Sequence, residues 1–118
     1  MREKHLVVGA GPVGRATAEQ LVLAGHEVVL ASRSGHGPDV PGVTRIAVDA
    51  ADADAVAEAA IGARAIYNCV NPPAYDKWAT MWPPIAAALL AAAERTGAVL
   101  VTAANLYAYG PVEGPMVE

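Results

Sequence analysis

Residues 4–32 read KHLVVGAGPVGRATAEQLVLAGHEVVLAS, and the reading of this stretch decides the fold. Residues 4–9 form a short apolar run that ends in glycine, the pattern of a strand buried on both faces of a parallel sheet. The chain then opens on glycines and takes up a helical period. Val13, Ala16, Thr17, Leu21 and Ala24 fall near one face, and Gly25 is placed to stop the helix. Residues 27–31 (EVVLA) supply a second strand. A strand, a helix and a strand at this spacing make a parallel β-α-β unit.

Downstream the alternation continues. SRSGHGPDVPG, rich in Gly, Pro and Ser, is a loop. Residues 43–48 (VTRIAV) have the β-branched content of a third strand. Asp49, or Asp52 after it, can cap an alanine-rich helix that runs to about Ile61 and stops at Gly62. Residues 64–70 (RAIYNCV) are a fourth strand, and NPPAYDKWATMW after them is a loop. Pro83 and Pro84 suit the first turn of a helix, IAAALLAAAERTG, which Gly97 ends before a fifth strand at 98–102 (AVLVT). The tail, YGPVEGPMVE, carries turn residues and no further periodic element. The expectation is one α/β domain over residues 1–118, a doubly wound parallel sheet of strand order 3-2-1-4-5, truncated after strand five.

Composition narrows the function classes. With 118 residues there is no room for a second full-sized domain, and 54% hydrophobic with 17% charged residues excludes intrinsic disorder. A net charge of −4 argues against a nucleic-acid footprint. No apolar run reaches the roughly 18 residues of a membrane span, and MREKHLVVGAG lacks the pattern of a signal peptide, so the expected compartment is the cytoplasm. The single cysteine, Cys69, excludes an internal disulfide framework. It lies in an apolar run and reads as a small core hydrophobe.

Gly9-Ala10-Gly11-Pro12-Val13-Gly14 matches G-x-G-x-x-G, with a strand before it and a helix after it. In that setting each glycine has a mechanical reason. Gly9 permits the tight turn, Gly11 lets the backbone approach a pyrophosphate, and Gly14 allows close helix–strand packing, with Pro12 and Val13 at the same turn. The helix N-terminus offers unpaired N–H groups to the phosphates. The motif therefore predicts a bound dinucleotide.

NAD-binding units place an acidic residue at the end of the second strand, where it accepts hydrogen bonds from the adenosine ribose. Here that strand runs into Ser32-Arg33-Ser34. Ser32 can bond a 2′-phosphate, and the Arg33 guanidinium can pair with it and stack on adenine, which favours NADP over NAD. Asp49 has two competing roles, receiving the adenine amino group or capping the helix, and His36 adds a titratable group to the same loop. At the switch point the fourth strand ends in Asn68-Cys69-Val70-Asn71-Pro72-Pro73, where Val70 and Asn71 would pass under the nicotinamide ribose. Tyr67, Trp78 and Trp82 either line a substrate cleft or pack as core aromatics.

With these residues in hand, the chain resembles the N-terminal part of an extended short-chain dehydrogenase/reductase, of the NAD-dependent epimerase/dehydratase group. The glycine motif, the Asp49 position, the VNPP loop at 70–73 and the NLYAYGP segment at 105–111 carry the resemblance. It implies a Rossmann domain in an oxidoreductase or nucleotide-sugar-epimerase-like protein, moving hydride at a carbinol or carbonyl carbon of a small-molecule substrate. It also implies that Asn105 and Tyr109 face the reaction centre. Two departures stand out. The family's Tyr-x-x-x-Lys is missing from these residues, since Tyr75-Asp76-Lys77 has the wrong spacing, and Asn105 occupies the family's Ser/Thr position. An asparagine orients a substrate oxygen but does not relay a proton as a hydroxyl does. The expectation is that the 118 residues alone are inactive, that Tyr-x-x-x-Lys and the substrate lobe lie beyond Glu118, and that an apolar fifth-strand edge promotes a homodimer. The alternative is a non-catalytic NADP(H)-binding redox sensor.

Overall fold

The computed structural model describes residues 2–70 and 78–102. Strand β1 (Lys4–Val8) leads into helix α1 (Pro12–Leu23) and strand β2 (Glu27–Ser32). Strand β3 (Val43–Ala47), helix α2 (Ala53–Ala59), strand β4 (Ala63–Asn68), helix α3 (Trp78–Thr96) and strand β5 (Val99–Thr102) follow. The five strands form one parallel sheet in the order β3-β2-β1-β4-β5, as the alternation of elements predicts. The chain builds outward from β1 to one side through β2 and β3, then returns to the other side with β4 and β5. That reversal opens a crevice beyond the carboxyl ends of β1 and β4.

The strand registers sort the side chains into two faces. Leu6, Val8, Ala31 and Ile66 lie on one face and are buried under α2 and α3 with Val56, Ile85 and Leu89. Val7, Val28 and Leu30 lie on the other face and are buried against Ala18 of α1. Helix α1 covers β1 and β2. Beyond it, over β5, Val99 and Val101 remain 50% and 44% exposed.

Three local expectations are corrected. The inward face of α1 is Gly14, Thr17, Ala18, Leu21 and Val22, whereas Val13 is 53% exposed and Ala16 and Ala24 face solvent. The cause is Gly14: the helix presses its backbone onto the β1–α1 turn at that residue, and this contact fixes the rotation of the helix. Helix α2 ends at Ala59 rather than near Ile61, and its N-cap is Asp52, which accepts a hydrogen bond from the Ala55 N–H at 3.1 Å. Helix α3 starts at Trp78, not at the prolines, so Pro83 and Pro84 lie inside it. Burial outweighs local propensity there, because Met81 and Trp82 pack against the core beneath the sheet.

Candidate functional site

The β1–α1 turn is built on backbone geometry. Gly9 has φ +110°, a region that favours glycine, and a Cβ there would stand 2.5 Å from the Cys69 carbonyl oxygen at the end of β4. The turn is tied on both sides: the Gly9 N–H donates to the Ala31 carbonyl, and the Cys69 N–H donates to the Val8 carbonyl, each at 2.8 Å. Gly14 is closed by steric contact, since a Cβ on it would fall on the Gly9 carbonyl oxygen.

Gly11 is different. Its φ of −79° suits any residue, and a Cβ built on it meets nothing within 4 Å among the described residues. Neither conformation nor packing within the chain requires glycine here. Gly11 is also the N-cap of α1 and supplies no side-chain cap, so the Val13 and Gly14 N–H groups have no partner among the described residues. An open approach, two free donors and the positive end of α1 meet at one place, which suits a diphosphate.

This place lies in a cavity of about 360 Å³ at the carboxyl end of the sheet. The structure brings Gly9, Gly11, Ser32, Arg33, Asp49, Cys69 and Val70 to its wall, all singled out from the sequence. Pro12, Val13 and Gly14 stand in the first turn of α1 and do not line the cavity. Asn71, Asn105 and Tyr109 fall outside the described residues.

Each polar group in the wall has a definable state. Arg33 is exposed and has no hydrogen-bond or ion-pair partner among the described residues. Ser32 donates its hydroxyl to the His36 carbonyl at 2.7 Å, and the Ser34 hydroxyl accepts from the His36 N–H at 3.1 Å, which folds the loop after β2 into a compact turn. The Ser32 hydrogen is therefore already in use, and Arg33 is left as the donor for an anion. Asp49 accepts from the Ala51 N–H through Oδ1 at 2.9 Å, while Asp52 does the capping. Asp49 is therefore not the cap of α2.

Cys69 behaves as a packing residue. It is half-buried against the cluster under α1, and burial pushes its thiol above the ordinary value, opposed by the Thr17 hydroxyl at 3.8 Å. A raised thiol holds little thiolate at neutral pH and is a poor nucleophile. On the opposite wall Met81 and Ile85, one turn apart on α3, close the cavity with Val48 and Ala50. Sequence reasoning does not find this wall, because starting α3 at Pro83 leaves Met81 in a loop, away from Ile85. Their spacing of four was the available signal.

A family model described as NAD(P)H-binding matches residues 9–116. No curated protein matches the chain significantly. Among solved structures, the chain is similar to the oxidoreductase ylbE from Lactococcus lactis, with 20% identity and a TM-score of 0.79 over 92% of this chain and 51% of that one. It is also similar to glucuronic acid dehydrogenase from Chromohalobacter salexigens, with 27% identity and a TM-score of 0.72 over 91% of this chain and 42% of that one. A mutant of uronate dehydrogenase from Agrobacterium tumefaciens, complexed with NAD, gives 27% identity and a TM-score of 0.69 over 87% of this chain and 41% of that one. The chain therefore spans about half, or less, of the length of these structures. Among the described residues no helix is long and apolar enough to cross a membrane. The two dehydrogenases, each 27% identical, accord with the resemblance to short-chain dehydrogenase/reductases. With its glycine turn and its sheet order, the chain belongs to the NAD(P)H-binding family of Rossmann domains.

Proposed function

We propose that this chain is the cofactor-binding domain of an NADP(H)-dependent oxidoreductase that moves hydride between nicotinamide and a carbinol or carbonyl carbon of a small-molecule substrate. Gly11 carries the reading. It is a glycine that the chain itself does not need, at a helix N-terminus whose first N–H groups are free.

The preference for the phosphorylated cofactor rests on the end of β2. Ser32 and Arg33 stand where a carboxylate would receive an unmodified ribose, and Arg33 is uncommitted. Asp49, beyond β3, offers a carboxylate to the adenine edge. Val70 follows β4 at the nicotinamide end of the cavity, and the family resemblance assigns Asn71 to the nicotinamide ribose and Asn105 and Tyr109 to the reaction centre. The dehydrogenase neighbours support an oxidoreductase as the whole enzyme. A fluorescence titration of the folded chain with NADPH and NADH in parallel tests this. Tighter binding of NADPH supports the proposal, equal affinity removes the 2′-phosphate reading, and no binding of either removes the proposal.

A further inference from the structure

At the other end of β1, outside the cavity, Glu3, His5 and His26 come together. One ring nitrogen of each histidine and one carboxylate oxygen of Glu3 lie within 4.8 Å of one another. The two imidazole rings are 4.5 Å apart between centroids. We propose that these three side chains bind a single divalent transition-metal ion of the zinc class, clamping the start of β1 to the residue that enters β2.

The donor set is two imidazoles and a carboxylate, which suits zinc and leaves a fourth position for water. Tetrahedral bonds of about 2.1 Å place ligand atoms roughly 3.4 Å apart, so ligand atoms that now lie within 4.8 Å of one another need to close by up to about 1.4 Å. The long Glu3 side chain, half-buried, has the freedom to supply that movement.

An independent observation points to a ligand. His5 is only 6% exposed, and its Nε2 is the one buried side-chain polar atom among the described residues that has no hydrogen-bond partner. Such an atom is costly to leave bare, and an ion at Nε2 would satisfy it. The other ring nitrogen is already held, because His5 Nδ1 and the Tyr67 hydroxyl are 3.0 Å apart. With the hydroxyl accepting from Nδ1–H, the lone pair falls on Nε2, the outer-shell arrangement usual for a ligating histidine. His26 accepts the Glu3 N–H through Nδ1 at a long 3.3 Å, so this nitrogen too carries a lone pair that a metal bond can take over. Burial holds His5 below the usual histidine range, assisted by His26 and Arg64 and opposed by Glu3, and a neutral ring is the ligating form. The competing cation is Arg64, which stands 3.8 Å from Glu3 Oε2 in an exposed pair that is weak in water.

Val8 at the cavity wall lies three positions beyond His5, about 10 Å along the strand, so the metal site is separate from the nucleotide seat. The test uses the untagged chain without nucleotide, stripped of metal by a chelator and titrated with Zn²⁺ in a calorimeter. One ion per chain is expected, together with a rise in melting temperature. Glu3→Gln and His26→Gln, both at half-buried positions where the fold tolerates a polar side chain, should each weaken binding at least tenfold. Co²⁺ should show the intense visible bands of a tetrahedral site in the parent chain and lose them in both variants. Failure of the folded parent chain to bind Zn²⁺, or binding that both variants leave unchanged, would overturn the proposal.

Discussion

Gly14 stands directly against Gly9: the backbone of α1 rests on the carbonyl oxygen of the turn, with no space between them for a side chain. This contact sets the height and rotation of α1 over the sheet, and so aims the helix N-terminus at the crevice. Gly11, three residues earlier, has open space where Gly14 has none. The two glycines therefore separate structure from binding.

Gly14→Ala should destabilise the fold by about 3 kcal/mol or more, because the obstructing atom is backbone and cannot rotate away. Gly11→Ala should change stability by less than about 1 kcal/mol, since its conformation suits alanine and nothing lies nearby. It should nevertheless weaken NADPH binding at least tenfold. Urea unfolding and nucleotide titration of the two variants, side by side, check this division.

Arg33→Ala should cost NADPH about 10- to 100-fold in affinity, the loss expected for a charge-assisted hydrogen bond to phosphate. NADH affinity should move by no more than about threefold. An equal loss for both cofactors would assign Arg33 to the diphosphate or to adenine rather than to the 2′-phosphate.

Two aspartates three residues apart should separate in the same way. Asp52→Ala removes the cap of α2 and should lower stability by about 1 kcal/mol while leaving nucleotide affinity unchanged. Asp49→Ala should do the reverse, lowering affinity with a stability change below about 1 kcal/mol from the lost Ala51 contact.

Stability should fall on acidification from pH 7 to pH 5. His5 is held below the usual histidine range, first by burial and then by His26 and Arg64, against Glu3. Between its folded value and the unfolded value near 6.5 the unfolded chain binds more protons, so lowering the pH favours unfolding until the folded ring also titrates. Urea midpoints at pH 5, 6 and 7 should show this slope in the metal-free chain, and His5→Leu should flatten it.

Among the described residues, no element packs on the Val99–Val101 side of β5, the strand at the edge of the sheet. Val99 and Val101 point away from α3, half-exposed. We propose that this face pairs two chains, so that sedimentation should show concentration-dependent dimers which Val101→Lys reduces. A monomer at every concentration would refute it.

The sheet order and the glycine turn were legible because both rest on local patterns: apolar runs that end in glycine, and a motif whose spacing is set by one turn and one helix. Legibility failed where a distant contact decides. The helical period puts Val13 inward, yet the Gly14–Gly9 contact turns it to solvent. Pro83 and Pro84 read as a helix start, yet burial of Met81 and Trp82 carries α3 upstream of them. In the candidate site, Gly9, Gly11, Arg33 and Asp49 could be named from the chain alone. The commitment of the Ser32 hydroxyl to His36 could not, because it depends on how the loop folds back. His5 was hidden inside an apolar run, and its partners Tyr67 and His26 come from other elements.

In the proposed complex a dinucleotide lies with its diphosphate on the N-terminus of α1 and its adenosine ribose on Arg33. Amide chemical shifts recorded while NADPH is added to the isotope-labelled chain test it most directly. The amides of Gly11, Val13, Gly14 and Arg33 should move together, with one saturation curve, while those of His5 and His26 at the far end of the sheet stay still. A folded chain whose glycine-turn amides do not move, or whose shifts lie elsewhere, would contradict it.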